Sequence, residues 1–165
     1  RRCSVRRPLT ITEVSYEALV EQARALAAAG ARGHLHTTPP GCLITGSPRR
    51  AIVLESTDDG VVFGFFDDQP IEARAKPLAI LLHGADSVPD DGEELQPASA
   101  AVNTMADRMR VGKGHFHILN PVCLANPNPG RWTILFEDDE LGVLESASDE
   151  RPLADIRLVE RLIYA

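Results

Sequence analysis

The chain has 165 residues, of which 44% are hydrophobic and 25% charged, and it carries a formal net charge of −7. Such a composition suits one globular domain, or two small units sharing a core, in a soluble protein. It argues against a nucleic-acid binder, which needs clustered Lys and Arg, and no run approaches the roughly 18 apolar residues of a membrane span.

The opening "RRCSVRRPLT" has arginines but no apolar run after them, so it does not read as a signal peptide. Residues 1–9 are expected to be a solvated, disordered tail. A helix is predicted over Glu13–Ala29, with Thr10 and Glu13 spaced as a capping box and Gly30 as its stop. Next comes "GHLHTTPPGC", residues 33–42. Beyond it "RAIVLES" and "VVFGFFDD" flank the turn "TDDG", a hairpin signal. "KPLAILLHG" is a continuous apolar run that reads as a strand buried on both faces, with His83 at its end. Residues 86–96, acidic and containing Pro and Gly, read as a linker. A second helix follows over Ala98–Arg110, then "GHFHILNPVC", residues 114–123. "RWTILFE" and "LGVLES" are predicted strands; the final run, "IRLVERLIYA", fits a strand or a short helix, and its alignment with "KPLAILLHG" favours a strand.

This order is written twice. At an offset of 81, the columns from Gly33 to Asp59 hold ten identities, at Gly33, His34, His36, Pro40, Cys42, Leu43, Pro48, Arg50, Leu54 and Asp58. One residue further on, Pro70 lies over Pro152. The pattern is that of an internal duplication, with units over residues 10–85 and 97–165 packed as one compact domain. The fold class expected is α+β: a helix plus antiparallel strands, repeated about a pseudo-two-fold axis.

Both copies of the motif run Gly, His, apolar, His, three residues, Pro, one residue, Cys. On a strand, two histidines one residue apart share a face with Cα atoms about 6.6 Å apart, and both can reach one metal ion. Leu35 and Phe116 would then face the core. The turn at the Pro is expected to bring the thiolate back towards the imidazoles. The candidate ligands are therefore His34, His36, His115, His117, Cys42 and Cys123, for zinc, iron, copper or nickel. Each copy supplies at most two His and one Cys, one ligand short of a closed tetrahedral set. The two pairs are accordingly expected to face each other across a shared cleft. A blue-copper centre is disfavoured, because the available Met105 and Met109 lie on the second helix.

A catalytic site without metal is the alternative. "HFHIL" and "HLHTT" resemble the motif of histidine-triad nucleotide hydrolases and transferases, although Leu119 and Thr38 stand where the third His belongs. His36 and Thr38 are similar to the His-X-Thr/Ser motif of two-histidine phosphoesterases, whereas Ile118 and Leu119 follow His117. Either resemblance implies a small phosphorylated substrate, with Arg49, Arg50 and Arg131 as an anion clamp, unless these arginines pair with the acidic turns. A third reading is an interaction module whose acidic surface meets a basic protein partner. Three cysteines, with Cys3 in the tail, do not make a disulfide framework and suggest a reducing, cytoplasmic setting.

Overall fold

The structure, a computed structural model, describes residues 8–30, 33–56, 58–83 and 94–164. Cys3, residues 1–7 of the expected tail and residues 86–93 of the expected linker lie outside the described residues. The fold is mixed α+β, with helices and two sheets of four and three strands among the described residues. The chain divides into two compact units, residues 6–88 and 89–165.

In the first unit, β1 (Thr12–Glu13) and α1 (Tyr16–Ala28) precede β2 (Gly33–Thr38), β3 (Arg50–Ser56) and β4 (Val62–Asp67), and α2 (Glu72–His83) closes it. The sheet order is β1-β4-β3-β2; β2, β3 and β4 are antiparallel, and β1 runs parallel to β4. α1 begins later than the sequence suggests. Its N-cap is Ser15, whose hydroxyl accepts the Ala18 N–H at 3.1 Å, while Glu13 belongs to β1. It stops where expected, at Gly30, whose φ of 62° suits a residue without Cβ. Leu9, the last residue of the expected tail, is hydrogen-bonded to the Ile44 carbonyl at 2.9 Å.

"KPLAILLHG" is not a strand. It lies in α2, which ends at His83. Ile71, Ala75, Leu78 and Ala79 are buried, the stripe of one helical face, while Leu81 is exposed. A short apolar run looks alike in both conformations, and the signal that separates them is upstream: Pro70 precedes the first turn, where Ala75 N–H reaches the Ile71 carbonyl at 2.9 Å.

The second unit runs α3 (Ala100–Arg110), β5 (Gly114–Leu119), β6 (Trp132–Asp138), β7 (Gly142–Ser148) and α4 (Leu153–Tyr164). Its sheet, β5-β6-β7, is antiparallel throughout. Ser99 caps α3 by accepting the Val102 N–H at 3.3 Å. "IRLVERLIYA" was expected as a strand and is the body of α4, again just after a proline, Pro152. Val102, Met105 and Ala106 of α3, Phe116 of β5, Ile134 and Phe136 of β6 and Val159 of α4 form one core. Thus one face of the sheet packs on the helices, and alternation along β5 and β6 sends His115, His117, Leu135 and Glu137 to the opposite face. The first unit follows the same rule. A Cβ on Gly33 would meet Leu26 of α1 and Leu82 of α2, which marks the helix side of β2, where half-buried Leu35 also points. His34 and His36 point the other way.

Candidate metal centres

Each histidine pair meets a carboxylate that the sequence reading did not single out. His34 is the cross-strand partner of Glu55, and His115 of Glu137. Side chains opposite each other in adjacent strands share a face, so two histidines from the edge strand and one glutamate from its neighbour converge. Nε2 of His34 and of His36 lie 2.8 and 3.3 Å from the same oxygen, Oε2 of Glu55. In the second unit Nε2 of His115 and of His117 lie 2.6 and 2.5 Å from Oε2 of Glu137. The rings repeat as well: centroids are 4.7 Å apart in both pairs, with interplanar angles of 88° and 87°.

These groups are buried. His34, His36, His117, Glu55 and Glu137 all lie in the interior, with Glu55 fully enclosed. Burial pushes the Glu55 carboxyl up, but hydrogen bonds from His34 and His36 outweigh it and hold the group well below the usual carboxylate range. Glu137 behaves alike, burial being overcome by His115 and His117. Burial also pushes the His36 imidazole down, with Glu55 opposing and the neighbouring His34 assisting. An ionised carboxylate and a neutral imidazole are the forms that bind metal.

Three donor atoms around one zinc ion, at about 2.0–2.1 Å each, stand roughly 3.3 Å apart in a tetrahedron. The donor atoms of His34, His36 and Glu55 all lie within 4.8 Å of one another, as do those of His115, His117 and Glu137. Each group could therefore hold a metal ion. The pairs were expected to face a shared cleft because each copy, with at most two His and one Cys, was one ligand short of a closed tetrahedral set. Glu55 and Glu137 supply that ligand within each unit.

Cys42 and Cys123 are buried, each in a tight turn after its strand. Cys42 N–H reaches the Pro39 carbonyl at 3.4 Å, and the Ile44 N–H points at the sulfur, also at 3.4 Å. Cys123 N–H reaches the Asn120 carbonyl at 3.1 Å, and buried Asn126 ties this turn together by donating to the carbonyls of Asn120 and Arg131. Both thiols are among the donors of the two groups that could hold a metal ion.

Arg49 reaches Asp68, Glu13 and the Phe66 carbonyl, Arg50 the Asp68 carbonyl, and Arg131 Asp149 at 2.8 Å. These arginines are thus engaged with acidic turns and strand-end carbonyls.

The glutamates escaped notice for a specific reason. An offset of 81 sets Glu55 over Phe136, whereas β3 and β6 correspond at an offset of 82, which sets Glu55 over Glu137. One extra residue between Cys123 and Trp132 makes the difference, and the later alignment of Pro70 with Pro152 already carried it. Comparison with family models, curated proteins and solved structures finds no match for this chain.

Proposed function

We propose that this protein binds a first-row transition-metal ion in each of its two units, through His34, His36 and Glu55 in the first and His115, His117 and Glu137 in the second. The observation that carries the reading is the convergence of two Nε2 atoms on a single carboxylate oxygen, in both units. Two imidazoles and a carboxylate suit zinc, iron, copper or nickel. A cation at the point of convergence would also remove the cost of burying an ionised carboxylate, which an ion pair alone seldom recovers. We include Cys42 and Cys123 as further donors. They favour zinc and copper over hard ions, and they need a reducing, cytoplasmic setting to stay thiols. The repeated order of elements and the repeated strand register support descent of both units from one ancestral metal-binding unit.

The phosphoryl-transfer alternative is less well supported. A nucleophilic imidazole must point a nitrogen at phosphorus, but here the Nε2 atoms of both pairs face a buried anion, which would repel a phosphate.

Elemental analysis of protein purified without chelator or metal-affinity resin tests the reading. It should show a transition metal, and zinc added to the stripped protein should raise its melting temperature. At a hundredfold excess over Kd each site adds about 2.7 kcal/mol. The double substitution His36→Ala with His117→Ala should abolish both effects. A folded protein that takes up none of the four metals would refute the proposal.

A further inference from the structure

We infer that the two sites are unequal: the His115–His117–Glu137 site exchanges its ion with small chelating ligands in solution, whereas the His34–His36–Glu55 site retains its own. The inference rests on the metal reading above. The side chain of His115 is 18% exposed and that of Glu137 10%, against 6% for His34 and none for Glu55. His115 Nε2 is nevertheless buried and makes no hydrogen bond among the described residues. It sits 2.6 Å from Glu137 Oε2. The Glu137 carboxylate holds this nitrogen, and the ring already has an edge in solvent. Rotation of the ring would lift one donor off the ion and give an incoming ligand its place.

The first unit carries a cover over its histidine face. Leu9 and Ile11 pack on Ala51, Val53, Val62 and Phe66, on the sheet face that also carries Glu55. This strap is fixed at both ends. Leu9 N–H donates to the Ile44 carbonyl at 2.9 Å, and Val14 N–H donates to the Gly64 carbonyl at 2.9 Å. Gly64 is what lets it lie so close, since a Cβ there would come within 2.5 Å of Ile11 Cγ2. In the second unit β7 is the outer strand, and Glu145, opposite Leu135 on the histidine face, is exposed. The ligand class that fits is a small bidentate chelator with nitrogen, oxygen or sulfur donors, such as an amino acid or a thiol. Its donors would replace His115 while His117 and Glu137 still hold the ion.

The full chain loaded with zinc and challenged with a chromogenic pyridylazo chelator tests this. Zinc should leave in two phases of equal amplitude, with rates differing by about tenfold or more, equivalent to at least ~1.4 kcal/mol in barrier. Glu137→Ala should lack the fast phase, Glu55→Ala the slow one, and Ile11→Ala should speed the slow phase alone. If Glu137→Ala fails to fold, His115→Gln makes the same assignment by accelerating only the fast phase. Release of both ions in a single phase, or loss of the fast phase in Glu55→Ala, would overturn the inequality and leave the metal reading intact. A chain that never takes up zinc would instead overturn that reading.

Discussion

Glu160 shows what burial does to a carboxyl here. It lies on α4 beside core residue Val159, buried, with Oε2 making no hydrogen bond among the described residues. Burial pushes its carboxyl up to about 7 against the opposing pull of Arg151 and Arg157. A carboxyl that holds its proton more tightly when folded favours folding below its ordinary value of 4.5, and loses that contribution as pH rises towards 7. Glu160→Gln should therefore stabilise the protein at about pH 8, by at most about 3 kcal/mol, and change little near pH 4. Denaturant melts at the two pH values check this, and an equal effect at both would refute it. Glu55 and Glu137 are the contrast, acids buried against two imidazoles each. Removing one of those should cost its unit an ion. The histidines and cysteines stood out in the sequence because they are uncommon residues in a repeated pattern. The glutamates, among 24 acidic residues, did not.

At the scale of elements, strand alternation was legible and helix identity was not always. Period-two reasoning put both histidines of each pair on one face and Phe116 on the other, as found. The run containing Leu78 is short and apolar, which suits either element, and alignment with it carried the same expectation to the run containing Val159; both are helical, each with a proline just ahead of the helix. Gly114 ties element to site. A Cβ there would sit 2.1 Å from the carbonyl oxygen of Glu137. The glycine thus lets β5 approach β6 closely enough to set His115 against that glutamate. Gly114→Ala should cost about 1–3 kcal/mol by overpacking and weaken zinc binding in the second unit alone. Gly33→Ala should be milder, since its nearest neighbours, a Leu26 methyl at 3.1 Å and the Glu55 carbonyl at 3.4 Å, are less crowded. Thermal melts and zinc titration of the two variants provide the comparison, and equal losses from both would contradict it.

For the whole molecule, the repeat carried most of what the sequence could tell. It marked both histidine pairs and the order helix, strand, strand, strand for each unit, with a further strand expected where α2 and α4 stand. It could not reveal the third donor, because the single-residue insertion before β6 broke the column that joins Glu55 to Glu137. Finding two chemically similar sets of donors after such a slip is the strongest reason to treat them as sites. One glutamate buried between two histidines is compatible with an accident of packing, but the same register occurs in both units, each with a glutamate opposite the first histidine of its pair. Native mass spectrometry of the zinc-loaded full chain, with a competing chelator present to strip weak sites, tests this most directly. The wild-type chain should carry two zinc ions, Glu55→Ala and Glu137→Ala one each, and the double variant none. A wild-type chain holding a single ion, or single variants that still hold two, would contradict the account.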